Sequence, residues 1–314
     1  MKHKLKFIPL VIFITLMLGC ASPGLQHLEQ GDTYADQGHW DEAIAQYTKA
    51  IELDPEMAVA YSNRGQAYNE IGQYDMAIKD LNKAIELDPN ATVAYSNRGL
   101  SYGYKGQWDL AMADFSKAIE LDPEMALAYQ NRGWAYNERG QYDLAIIDLD
   151  KAISLEPELA VAYSNRALSY IYNQQWNLAM TDIDKAIDLD PELAIAYSNR
   201  GFIYNERQQW DSAIVDLNKA IEMDPELAVA YHNRGISFLG KEQCVLAIEN
   251  FSKSIELQTE ISTADVTYFL RALTYYEMGD LNAALADLYK VLELSTDPYF
   301  IQSAREGIAE IEAE

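Results

Sequence analysis

Residues 54–89 read DPEMAVAYSNRGQAYNEIGQYDMAIKDLNKAIELDP, and the hexapeptide inside them, AYSNRG at 60–65, returns letter for letter at 94–99. Near copies stand at 128–133, 162–167, 196–201 and 230–235. Pro55, Pro89, Pro123, Pro157, Pro191 and Pro225 keep a spacing of 34 residues, as do the tyrosines from Tyr61 to Tyr231. A fixed period of this size means stacked supersecondary units, none of which buries its apolar face alone. Within one unit the apolar residues follow helical spacing twice, before and after Gly72-Gln73. Asp54 is expected as the N-cap of the first helix and Pro55 as its first residue, where a missing N–H is harmless. Gly72 is expected in the left-handed turn that closes that helix. Asp75 falls at the start of the second helix, where the dipole favours a carboxylate. Gly65 and Ala77 are small residues, one per helix, that let the pair cross closely. Ala84 admits the next unit, and Tyr61, Tyr68, Tyr74 and Leu81 fill the larger spaces.

These residues resemble the tetratricopeptide repeat family over nearly the whole length that follows the first two dozen residues. The family's Trp, Gly, Tyr, Ala, Phe and Pro fall here on Tyr61, Gly65, Tyr68, Ala77, Leu81 and Pro89, while Arg64 replaces the Leu usual before the Gly. The resemblance implies an all-α, right-handed superhelical solenoid of about eight helix-turn-helix units across 24–298. The units lie near 24–57, 58–91, 92–125, 126–159, 160–193, 194–227, 228–264 and 265–298. The last is displaced by three extra residues in QTEISTA (258–264), which should bend the stack. In the segment 299–314, Ile301, Ala304, Ile308 and Ile311 form an apolar stripe, as a solvent-facing capping helix requires.

The repeated arginine has a companion sixteen residues on. Arg64 leads to Asp80, Arg98 to Asp114, Arg132 to Asp148, Arg166 to Asp182, Arg200 to Asp216 and, past the slip, Arg271 to Asp287. Arg234 leads to Asn250, and the first unit has Gln30 and Gln46 at both places. Residues that bracket a hairpin turn face each other, so these are expected to be structural ion pairs. The preceding asparagines, Asn63, Asn97, Asn131, Asn165, Asn199 and Asn233, are turned about 100° around the same helix. They resemble the asparagine ladder by which superhelical members of the family hold an extended peptide through its main chain. An amide suits that role because it offers two donors and an acceptor whatever the peptide's side chains. The competing expectation is that they bond the neighbouring helix and only shape the stack. Leu100, Trp134, Leu168, Phe202 and Ile236 are further groove candidates. Asn69-Glu70, Gly103-Tyr104, Asn137-Glu138, Ile171-Tyr172 and Asn205-Glu206 alternate, which points to a duplicated 68-residue double unit and a groove with acidic and aromatic bands. Val59, Ser62, Val93 and Ser96 stand where a carboxylate clamp would place cations, so C-terminal acidic peptides are not the expected ligands.

Residues 1–19 have Lys2, Lys4 and Lys6, then an apolar run from Phe7 to Leu18. That is the form of a secretory signal peptide, too short to span a bilayer. Leu16-Met17-Leu18-Gly19-Cys20 resembles the lipobox of bacterial lipoproteins, which implies cleavage before Cys20 and a diacylglycerol on its thiol. Residues 20–23 would then be a lipidated tether. Ala21 and Ser22, where an inner-membrane retention signal would have Asp, imply the outer membrane of a Gram-negative cell. Cys244 is left as the second cysteine, expected to be a small buried hydrophobe.

Of the 314 residues, 49% are hydrophobic and 23% charged, which is globular composition. The formal net charge of −25 argues against nucleic-acid partners and favours neutral or basic protein surfaces. His27, His39 and His232 are scattered over three units, and no CxxC, HExxH, GxSxG or GxxxxGK[ST] motif occurs. Neither a metal, a cofactor nor an enzymatic role is expected. The reading is a scaffold, anchored through Cys20 on the periplasmic side of the outer membrane, that binds partner proteins or extended peptides in its concave groove. The alternative is a surface-exposed receptor or adhesion factor.

Overall fold

The computed structural model describes residues 22–257 and 264–313. The signal segment, Cys20 and all but the last residue of the slip at 258–264 lie outside the described residues. Seventeen α-helices and no strands occur among them. They divide into two compact units, with the boundary between Ser169 and Tyr170.

The first unit holds α1 (Pro23–Asp36), α2 (Trp40–Leu53), α3 (Ala58–Glu70), α4 (Tyr74–Leu87), α5 (Thr92–Tyr104), α6 (Trp108–Leu121), α7 (Ala126–Glu138), α8 (Tyr142–Leu155) and most of α9 (Ala160–Tyr172). The second holds α10 (Trp176–Leu189), α11 (Ala194–Glu206), α12 (Trp210–Met223), α13 (Ala228–Gly240), α14 (Cys244–Leu257), α15 (Ala264–Glu277), α16 (Leu281–Leu294) and α17 (Pro298–Ala313). Both are stacks of antiparallel hairpins. α3 packs on α4, and α4 packs on α5 of the next hairpin. Ala77, Leu81, Ala84 and Ala94 are fully buried along that path. A Cβ on Gly65 would stand 2.6 Å from Leu81 Cγ, so glycine sets how closely α3 approaches α4. In α17, Ala304, Ile308 and Ile311 are buried against Leu288 and Val291 of α16.

The hairpin turn is a Schellman closure. Gly72 has φ +73°, Gln73 N–H donates to Tyr68 O at 2.8 Å, and Gly72 N–H donates to Asn69 O at 3.0 Å. Gln174, Gln208 and Glu242 take the same left-handed conformation, with φ of 57°, 57° and 59°. A Cβ makes that conformation cost about 1–2 kcal/mol relative to a right-handed one. Gln208→Gly should therefore raise stability by about 0.5–1 kcal/mol after the extra freedom glycine gives the unfolded chain. A higher urea midpoint checks it.

The Asp-Pro expectation is corrected. α3 starts at Ala58, with Met57 at the N-cap position and no side-chain cap. Asp54 ends α2 instead. Its carboxylate accepts from Glu56 N–H at 3.1 Å, and its carbonyl from Met57 N–H at 3.2 Å. The Asp side chain bonds two residues on, which builds a turn, rather than reaching into the next helix. Cys244 is also corrected, because it is half-exposed at the start of α14, where no neighbouring helix covers it fully.

Candidate functional site

The first helices from α3 to α13 carry both repeated polar residues, so the two faces of those helices decide what the fold can bind. The arginine face is occupied internally. Arg64 Nε and Nη2 donate to Asp80 at 2.6 and 2.9 Å, Arg98 to Asp114 at 2.7 and 2.7 Å, and Arg132 to Asp148 at 2.6 and 2.9 Å. In the second unit Arg200 holds Asp216 at 2.6 and 3.0 Å and Arg271 holds Asp287 at 2.7 and 2.8 Å. Arg234 Nε donates to Asn250 Oδ1 at 2.8 Å. The hydrogen bonds to Asp148 raise Arg132 above its ordinary pKa against the opposing effect of burial. Burial, unopposed by a carboxylate, lowers Arg234.

Each guanidinium makes a further bond that its sequence position did not announce. Arg64 Nη1 donates back to Thr48, Arg98 to Asn82, Arg132 to Ser116, Arg166 to Asp150, Arg200 to Asp184, Arg234 to Asn218 and Arg271 to Ser252. These acceptors belong to the preceding hairpin. One arginine thus ties three helices together. Its planar group also lies over the tyrosine three residues earlier, at 5.7 Å for Tyr61 and 5.5 Å for Tyr95.

The asparagine positions divide. Asn63 Nδ2 donates to Asp32 of α1 at 2.8 Å, and Asn131 Nδ2 donates to Ser96 Oγ at 3.4 Å. Asn97 Nδ2 is buried without a hydrogen-bond partner, as is Oε1 of Gln130 on the next first helix. Asn63, Asn97, Asn131 and Asn165 are half-buried side chains, whereas Asn199 and Asn233 lie below the surface at 9% and 4% exposure. On the same face Val59 and Val93 stand about half in solvent. Leu100, Trp134, Leu168 and Phe202 are half-buried.

The alternating Asn-Glu pairs are corrected as groove residues in their asparagine half. Asn69 Nδ2 donates to the Asn97 carbonyl at 2.9 Å, and its Oδ1 accepts from Ser101 Oγ at 2.6 Å. Asn137 makes the same two bonds to Asn165 and Ser169, and Asn205 to Asn233 and Ser237. Both ends of each amide are spent pinning one hairpin to the next. The readable signal was a serine 32 residues after each of these asparagines, with Ala135 and Ile203 at that offset from Gly103 and Ile171.

The histidines are held in the same structural manner. His27 Nδ1 lies 2.7 Å from Gln46 Oε1, and His232 Nδ1 lies 2.8 Å from Thr267 Oγ1. Burial pushes His232 down to about 4. Among the described residues no group of His, Cys, Asp and Glu could hold a metal ion. No helix there is long and apolar enough to cross a membrane.

A tetratricopeptide repeat model matches residues 58–91, 92–125, 126–159 and 194–227. Two further models of the same repeat match 31–72 and 266–298, so that more than half of the chain is covered. The chain belongs to the tetratricopeptide repeat family. Solved structures agree on the fold of this tetratricopeptide repeat protein. The crystal structure of the APC/C hetero-tetramer Cut9-Hcn1 is similar at 18% identity and TM-score 0.77, over 91% of this chain. The chain spans only 55% of that protein's length. A tetratricopeptide repeat protein from Parabacteroides merdae is similar at 20% identity and TM-score 0.61, over 80% of this chain and 98% of that one. YrrB, described as a TPR protein with an unusual peptide-binding site, shares 27% identity over 59% of this chain and 96% of its own, at TM-score 0.44. No curated protein matches the sequence.

Proposed function

We propose that this tetratricopeptide repeat protein is a membrane-anchored scaffold that holds partner proteins, or extended segments of them, against the face of its first helices. The observation that carries the reading is the make-up of that face in α3, α5, α7 and α9. Half-buried amides of Asn63, Asn97, Asn131 and Asn165 recur there at one interval of 34 residues, with solvent-exposed aliphatic side chains at Val59 and Val93 one turn before the first two. Beneath it, the Asn97 amide nitrogen and the Gln130 amide oxygen have no protein partner. The asparagine amides that reach the surface offer donors and acceptors suited to the C=O and N–H of a passing main chain. Aliphatic rows between them supply affinity without reading sequence.

The test is affinity for a partner captured from membranes on the immobilised chain and then purified. Changing Asn97, Asn131 and Asn165 together to Ala should weaken it by about a hundredfold, at about 1 kcal/mol per site. The melting temperature should stay close to wild type. An unfolded variant would make these asparagines purely structural. A folded variant that binds as before would place the partner elsewhere.

The anchor rests on the basic start, the apolar run and the Leu16–Cys20 motif, and we take the scaffold to be held at the outer membrane, on its periplasmic side. Cys20→Ser should move the protein from the membrane fraction to the soluble one. If it stays with the membranes, the motif is not the anchor.

A further inference from the structure

Four rings from four consecutive helices meet in the first unit. Tyr104, at the end of α5, stacks on Tyr74 of α4 with centroids 5.1 Å apart and planes at 12°. It leans on Trp134 of α7 at 5.3 Å. Trp134 in turn meets Trp108 of α6 edge-on at 5.1 Å. The cluster needs Gly103, where a Cβ would stand 2.7 Å from Trp134 Cζ3 and 3.3 Å from Trp108 Cζ3. Although two rings flank it, Tyr104 is 54% exposed.

The cluster is electronegative for three reasons. Aromatic faces carry negative potential. The exposed Glu70, at the end of α3, lies close enough to act on both phenols: after burial, its charge raises Tyr74, and after burial and Tyr74 it raises Tyr104. The chain as a whole carries −25. The nearest cations in sequence are already paired, Lys105 with Asp75 and Arg139 with Asp109. Elsewhere the chain already places guanidinium on tyrosine, as Arg98 over Tyr95 and over Tyr102. Glu138, Tyr142, Tyr172 and Trp176 repeat the residues of the cluster 68 positions on in the sequence, with Phe202 in place of Trp134, whereas Gly240 stands where a third Tyr104 would be.

We infer that the cradle of Tyr74, Tyr104 and Trp134 beside Glu70 takes an arginine or lysine side chain of the partner. This rests on the reading of the first-helix face as the binding surface and names its ligand's chemistry, a basic segment. Charge complementarity chooses this occupant over an acidic peptide, and the open part of the Tyr104 ring supplies the cation–π contact.

The probe is an acetylated, amidated tri-arginine peptide, compared with its neutral tri-citrulline counterpart, titrated into the full chain by calorimetry. Tri-arginine should bind at least tenfold more tightly. Tyr104→Leu should weaken it by about 5- to 30-fold with an unchanged melting temperature, and Tyr104→Phe, which keeps the ring, should not. Glu70→Gln should weaken it by a smaller factor. Equal binding of tri-citrulline would make this a neutral stacking surface and overturn the proposal. So would a Tyr104→Leu variant that binds tri-arginine as before, since diffuse negative charge would then account for the attraction. Self-association lost in Tyr104→Leu would assign the cradle to a second copy of the chain instead. A captured partner sensitive to the asparagine variant but not to Tyr104→Leu would leave the face reading standing and sink the cradle alone.

Discussion

Arg132→Leu is expected to lower folding stability by about 3–5 kcal/mol, because it strands the Asp148 carboxylate in a buried place. Asp148 is only 5% exposed, and it receives both Nε and Nη2 of Arg132. The substitution also removes the bond to Ser116 at 3.1 Å and the contact with the Tyr129 ring at 5.8 Å. Leucine fills much of the stem's volume, so the loss is mainly the uncompensated charge. Adding Asp148→Leu should recover most of it, since an apolar pair of similar volume commonly replaces a buried ion pair at little cost. Urea midpoints for the four proteins of the cycle give the coupling. Additive losses would show that the two side chains stabilise the hairpin independently. Arg234→Leu supplies the contrast. Its partner is the neutral Asn250, which also donates to the Leu246 carbonyl, so the loss there should be smaller.

The arginine pairs were legible because one offset, sixteen residues, joins two residue types that need each other. The bond of each arginine back to the preceding hairpin was not. Thr48, Asn82, Ser116, Asp150, Asp184 and Asn218 share only an acceptor oxygen, and a guanidinium N–H accepts any of them. Residue identity was therefore free to drift, and the correlation disappeared. Asn69, Asn137 and Asn205 read as groove residues because an amide on a helix face has no preferred partner in sequence. Only their serines, 32 residues away on the next first helix, show that the amide is spent. Asp54-Pro55 misled for a local reason. Its composition suits a helix start and a turn equally, and the carboxylate found the nearer N–H of Glu56. Gln208 in a left-handed turn is a tertiary override, since the hairpin bonds from Gln209 to Tyr204 and from Gln208 to Asn205 form at 2.8 Å whether or not the residue is glycine.

Gly99 and Phe115 should show a reversal of sign. Phe115 is fully buried, and Phe115→Ala should cost about 3–5 kcal/mol through lost transfer energy and the cavity left behind. In the wild-type background, a Cβ on Gly99 would stand 2.6 Å from Phe115 Cε1 and 2.8 Å from Cδ1. The ring is enclosed and cannot swing away, so α5 must move off α6. Such overpacking costs about 1–3 kcal/mol. The better helix propensity of alanine returns only about 1 kcal/mol. Gly99→Ala alone should therefore destabilise. With Phe115→Ala already in place the ring is gone, the new methyl enters the cavity, and the propensity gain is no longer opposed. The same Gly99→Ala change should then stabilise by about 1 kcal/mol or more. The comparison is of four urea midpoints, read by circular dichroism at 222 nm. A Gly99→Ala effect of one sign and size in both backgrounds would mean that the ring does not set the approach of the two helices. The reversal would carry over to Gly235 and Phe251 in the second unit, where the same Cβ contact is 2.5 Å. It would fix the glycine, in the first helices that carry one, as the counterpart of the bulky residue sixteen positions on, a spacing rule that operates alongside the arginine pair on the neighbouring face of the same helix.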